Sequence, residues 1–326
     1  MKTRTVAVCG TILLLTQLVV ADGSYQSTTQ ITGGAMVESL QQNPLAARLT
    51  KGLFAPTNTL TMVHGNQKAV VTKDSTEIVD LDKETITRLD TAKKTYTVVT
   101  FAQMREAFAN LSKQMEQAQA QMKQQQGQQP KTNLKTSFEV SVQNPGVTKV
   151  VNGLSAQEQV VTMLMHVTDP DAGTTATYTV ITDAWIAPDP PEVKEIQDFD
   201  VRMGQKMMAS VDMSALMGRA GANGNAGMSA LFGAHPGSAE ALAQMGKEMA
   251  KLKGTRVLEV TTMGGNGPAG PSGAATSNAA GAPTGATLMQ TTTQKTNFSH
   301  EAIPSSIFEI PSGYKKVPSP YDRLGK

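Results

Sequence analysis

Cysteine is almost absent from this chain. Cys9 is its one cysteine, and because Cys9 sits in a leader-like N-terminus, the rest of the protein has no disulfide, thiolate nucleophile or zinc-cysteine site. Net charge is missing as well. The first 21 residues hold Lys2 and Arg4 and no acid, so the remainder carries 27 basic and 27 acidic side chains. A balanced chain does not attract nucleic acid electrostatically, and no nucleic-acid partner is expected. After residue 21 no apolar run approaches the roughly 20 residues that a bilayer-crossing helix needs, so no transmembrane span is expected. Catalytic signatures are missing too: there is no HExxH and no nucleophile elbow. The histidines His64, His166, His235 and His300 stand in unrelated contexts, and each reads as structural. Asp169-Pro170-Asp171-Ala172-Gly173 begins like a calcium loop but lacks a third acidic ligand and the downstream glutamate, so it reads as a hairpin turn. No enzyme activity, cofactor or metal is expected.

The N-terminus, MKTRTVAVCGTILLLTQLVVA, combines a basic start, an apolar core from Thr5 to Val20 and the small-residue site Val19-Val20-Ala21. This is the pattern of a cleaved secretory signal peptide over residues 1–21. Cys9 lies inside the apolar core rather than after it, which argues against a lipid anchor. An exported chain of this size without disulfides points to the periplasm of a bacterial envelope, with an extracellular location as the alternative. The Asn-x-Ser tripeptides at Asn110 and Asn297 then carry no weight.

A meander follows. In IVDLDKETITRLDTAKKTYTVVTF, alternation places strands near Glu77 to Leu81, Thr85 to Leu89 and Thr95 to Thr100, joined by two Asp/Lys-rich turns. Two further strands flank His64-Gly65-Asn66-Gln67, and GSYQSTTQIT reads as another. Asn43-Pro44 opens a short helix that Gly52 closes. After residue 134, SFEVSV, two long strands joined at Asp169 to Gly173, TRVLEVTTM and TLMQTTTQKTNFSHEAI continue the sheet. In the first long strand Val161, Met163, Met165 and Val167 share one face, and the partly apolar other face suggests a sheet covered on both sides.

Helical periodicity interrupts this twice. Thr100 and Gln103 fit a capping box, and behind it Phe101, Met104, Phe108 and Leu111 begin a stripe of three- and four-residue steps. Packing against the protein's own sheet is the preferred reading, a partner-binding coiled coil the alternative. The second helical stretch starts at Pro191, with Val193, Ile196, Phe199 and Met203 along one face, and another runs from Ser238 to Lys253. Residues 119–133 form a glutamine-rich linker, and residues 264–286 a flexible Gly/Pro/Ala-rich loop. Eight of the 18 methionines fall between Met203 and Met249. They suit core filling, a soft ligand-facing surface or copper(I) ligation, in falling order of preference. Trp185 lies where a strand meets a proline-rich turn, either at a cavity mouth or as a core anchor.

The segments IVDLDKETITRLDTAKKTYTVVTF, TVITDAWIAPDPPEVKEI and FEIPSGYKKV resemble a domain-of-unknown-function family of secreted Gram-negative proteins. That family is similar in fold to the LolA and LppX group, in which a curled, unclosed antiparallel sheet wraps around helices and can shelter acyl chains. The resemblance implies an α+β fold in which residues 22–326 form one domain, a mostly antiparallel half-barrel packed against amphipathic helices. It also implies a non-enzymatic binding or carrier role for a lipid, acyl chain or lipoprotein-like partner. The expected apolar lining is Phe101, Met104, Phe108 and Leu111 facing Val161, Met163, Met165 and Val167, with Trp185 beside them. The competing expectation is a structural or interaction module of the envelope without a small-molecule ligand.

Overall fold

A computed structural model describes residues 22–107 apart from 51 and 53, then 135–208, 253–265 and 286–323, with scattered positions at 109–117 and 247–248. The leader, the 119–133 linker, nearly all of the helix expected at 238–253 and positions 266–285 of the 264–286 loop lie outside the described residues.

The first six strands are β1 (Asp22–Gly33), β2 (Thr57–His64), β3 (Gln67–Val71), β4 (Ser75–Asp80), β5 (Thr85–Asp90) and β6 (Thr95–Thr100). Then come β7 (Lys135–Gln143), β8 (Thr148–Val151), β9 (Leu154–Asp169), β10 (Thr174–Ala187), β11 (Thr255–Gly265), β12 (Ala286–Ser299) and β13 (Lys315–Lys316). All join one large, curled, unclosed sheet of 13 strands in the order β13-β6-β5-β4-β3-β2-β1-β12-β11-β10-β9-β7, with β8 pairing β9. Every pairing is antiparallel except the short β13–β6 one. The sheet is therefore mixed, and the fold a sheet-rich α+β. Among the described residues it is accompanied by the helices α1 (Ala35–Gln42), α2 (Pro44–Leu49) and α3 (Pro191–Met208). A further helical stretch begins at 101–107.

Local chemistry explains the meander. Asp80 accepts hydrogen bonds from the backbone N–H groups of Asp82 and Lys83, and Asp90 accepts one from Lys93. Each carboxylate thus closes its own turn. Glu84 and Lys94 follow at φ 50 and 51 as the left-handed residue that re-enters the next strand. Burial pushes the Asp80 carboxyl up, but the N–H and ammonium of Lys83 and the Gln67 amide outweigh it and hold the carboxyl below its ordinary value. The capping box forms as expected: Thr100 N–H donates to Gln103 Oε1 at 2.9 Å and Gln103 N–H to Thr100 Oγ1 at 3.1 Å.

The sheet has two differently covered faces. On one, α3 packs through Ile196 and Phe199 onto Val63, Val79, Leu81 and Phe101. Its flanks are tied to β3 and to nearby turns, as Lys68 Nζ meets Asp200 Oδ1 at 2.6 Å, Arg202 donates to the Gly65 carbonyl and Lys206 to the Leu81 carbonyl. Gly23 permits this approach, because a Cβ there would lie 2.4 Å from the Glu192 carbonyl oxygen. On the opposite face, Met62, Ala69, Ile78 and Leu89 are covered by the C-terminal segment, through Ile303, Ile307, Phe308 and Tyr314. That strap is pinned where Asp22 accepts the Ile303 N–H, His300 Nδ1 meets the Asp22 carbonyl, and Lys315 and Val317 donate to Lys94 and Tyr96.

Three details differ from the sequence reading. A short hairpin, β8 to β9, turns at Asn152-Gly153, both with positive φ, where the sequence reading has one continuous strand. The sequence reading has no helix at α1, ahead of α2. Gly264 and Gly265 belong to β11, and Ala286 to β12, so the glycine-rich loop is shorter at both ends than its composition suggests.

Candidate functional site

The predicted strand stripe is real, and it extends across the sheet. Register places Val140 of β7, Met163 of β9, Val180 of β10, Met263 of β11 and Met289 of β12 in one transverse row. Phe138, Met165 and Tyr178 form a second row beside it. These side chains make one apolar cluster, within which Met163 and Met165 are 2% and 1% exposed. Val161 is buried next in line, and Val167, half-buried, packs on the cluster's rim.

Following the register across β12 and β1 shows that this cluster and the α3 cluster occupy the same face. A threonine belt separates them. Thr182 pairs with Thr261 at 3.3 Å, and Thr29 with Thr293 at 3.0 Å, so these hydroxyls satisfy one another between two apolar ends.

Phe101 and the strand stripe do not meet. Phe101 is fully buried among Val63, Val79, Leu81, Ile196 and Phe199, in a cluster separate from that of Met163 and Met165. The reason is reach: Phe101 directly follows β6, nine strand steps from β9, or about 43 Å along the sheet at about 4.8 Å per step. Met104 is half-buried on the same helical stretch. Phe108 and Leu111 lie outside the described residues.

Trp185 belongs to neither cluster. It is 6% exposed, projects from the opposite side of β10 and packs with Val151, Ala156 and Val257, with Lys149 Nζ 3.5 Å from its ring centroid. It is a core anchor capped by a cation. Sequence reasoning missed Phe138, Val140, Tyr178, Val180, Met263 and Met289 as neighbours of Met163 and Met165. Each strand's alternation shows its own apolar face, but only pairing register says which faces are shared.

Beyond Val161 the same face of β9 continues through Gln159 and Gln157 into a groove of about 550 Å³. Thr148, Ser155, Ile186, Pro188 and Lys253 complete much of its wall. Gly254, at φ 114, sets the chain tightly against β10, since a Cβ there would lie 2.5 Å from the Ala187 carbonyl oxygen. Lys253 is the charged side chain in the described wall.

The described histidines have partners within the fold: His64 pairs with the Asp22 carboxylate, His166 Nδ1 with Thr177 Oγ1 at 3.0 Å, and His300 with the Asp22 carbonyl. Among the described residues, no three His, Cys, Asp or Glu side chains converge as a metal site would require. No described helix is long and apolar enough to cross a membrane. No protein-family model matches the chain, and no curated protein matches it.

Proposed function

We propose that the protein is an exported, non-enzymatic periplasmic carrier that binds an acyl chain of a lipid or lipoprotein against its methionine-lined sheet face. One observation carries this reading: the apolar row of Val140, Met163, Val180, Met263 and Met289 crosses five strands on the face that also holds α3. Methionine suits such a surface because its unbranched thioether repacks around ligands of varied shape. Burying about ten methylenes at about 0.8 kcal/mol each supplies roughly 8 kcal/mol before ordering costs. A curled, unclosed sheet is also what the resemblance to the LolA and LppX group implies.

The near-complete burial of Met163 and Met165 favours a second reading. In it the same layer is simply the core of an envelope interaction module. Native mass spectrometry of protein purified from its own envelope, followed by solvent extraction, separates the two. A carrier retains a lipid adduct that extraction removes, and it takes up a fluorescent fatty acid afterwards. A module shows no adduct and no uptake, and that result ends the carrier reading. The same spectrum tests export, since the mature chain should begin at Asp22, the first residue of β1.

A further inference from the structure

We infer that the groove at the β8–β9–β10 corner is the headgroup end of the acyl site and selects a carboxylate-headed chain, a long-chain fatty acid, through Lys253. This rests on the carrier reading and adds ligand polarity to it. Three observations converge. The first is continuity: Gln157 and Gln159 in the groove and Val161, Met163, Met165 and Val167 beyond it are alternate residues of β9, so they share one face. From Gln159 to Val167 the strand rises about 26 Å at about 3.3 Å per residue. One leaflet's worth of acyl chain is about 15 Å, half the hydrocarbon thickness of a bilayer, so the face is long enough for a whole chain in line with the groove.

The second is polarity. The groove end offers Thr148, Ser155, Gln157 and Gln159, whereas the other end offers valine and methionine side chains. An amphiphile laid along β9 therefore has one orientation, head towards Gln157 and tail towards Val167.

The third is charge. Lys253 is the ionic group of the described wall. The acid that follows Pro188, Asp189, is not part of the described wall; its Oδ1 accepts hydrogen bonds from Thr255 Oγ1 at 2.7 Å and Gln197 Nε2 at 3.1 Å. The tight turn at Gly254 fixes the backbone beside Lys253 against the end of β10. A carboxylate entering the groove thus meets a cation together with amide and hydroxyl donors. A quaternary ammonium head meets repulsion.

The test compares palmitate, hexadecanol and hexadecyltrimethylammonium on the full-length mature protein, by displacement of a fluorescent acyl probe at low salt. Palmitate should bind about fivefold more tightly than hexadecanol, the scale of one exposed ion pair, and the cation most weakly. Lys253→Gln should bring palmitate to the hexadecanol level and leave hexadecanol unchanged, and Lys253→Glu should favour the cationic head. Equal binding of all three heads, or an unchanged palmitate preference in Lys253→Gln, overturns the headgroup assignment while leaving the carrier reading intact. Failure of all three to bind, by protein whose circular dichroism matches the native fold, removes the carrier reading and this inference with it.

Discussion

The two apolar ends of the helix-bearing face differ in the side chains that form their buried cores. At the β2–β5 end, Val63, Val79, Leu81, Phe101, Ile196 and Phe199 interlock as the buried core, Met203 and Met207 of α3 pack on it only as partly buried residues, and α3 is tied down by Lys68, Arg202 and Lys206 as well. At the β7–β12 end, four of the partners are Met163, Met165, Met263 and Met289, set against a few valines and aromatics. Branched and aromatic residues hold one packing, whereas methionine accepts several. The contrast assigns a fastening role to the first end and an adaptable role to the second, with the self-paired threonines as a neutral seam between them.

Breaking the fastened end should have the largest effect. Phe199→Ala removes a fully buried ring from the α3 contact and should cost about 3–5 kcal/mol in urea denaturation. A loss below about 1 kcal/mol would mean that α3 does not hold this end. Next, Gly23→Ala forces a Cβ against the Glu192 carbonyl and should cost about 1–3 kcal/mol by overpacking. Gly33→Ala is its control, since no atom lies within 4 Å of a Cβ there. Equal effects at the two glycines would place the close approach elsewhere.

The adaptable end should respond less. Met165→Leu conserves volume and should cost less than about 1.5 kcal/mol, while slowing exchange of bound fatty acid as the layer stiffens. A loss as large as that of Phe199→Ala would erase the distinction between the ends. The smallest effect belongs to the turn beneath α3. Asp80 is held below its ordinary value of 3.8, so its contribution is present above that pH and lost as the pH falls through the lower folded value. Asp80→Asn should therefore cost about 1 kcal/mol at pH 7, where a charge-assisted bond becomes a neutral one. It should also flatten the acid side of the stability curve below pH 3.8. An unchanged acid limb would rule out that role.

Much of the fold was legible because it is local. The Asp80 and Asp90 turns, the Thr100–Gln103 capping box, the alternation of β4 to β6 and the 3.6-residue stripe of α3 all depend on residues close in sequence. The Asn152-Gly153 hairpin carried an equally local signal that the sequence reading passed over. What the sequence did not reveal depends on strand order. That Phe101 lands nine strands from Met163, and that Met263 and Met289 fall in the same transverse row as Met163, follows from strand order, with β1 joining β12 across some 260 residues. Periodicity within a strand carries no information about that closure. For the same reason Trp185 could be read as buried or as lining a cavity until its side of β10 was known.

The central claim is that the adaptable end is where an acyl chain lies. A fatty acid with a diazirine near its terminal carbon, bound to the intact mature protein and photolysed, tests this most directly when the adducts are mapped by peptide mass spectrometry. The account predicts adducts on β9 and β11 peptides containing Met163, Met165 and Met263, suppressed by excess palmitate and absent from α3 and the strap. Adducts confined to α3 or the Ile303–Tyr314 strap, or labelling that palmitate does not compete, would contradict it.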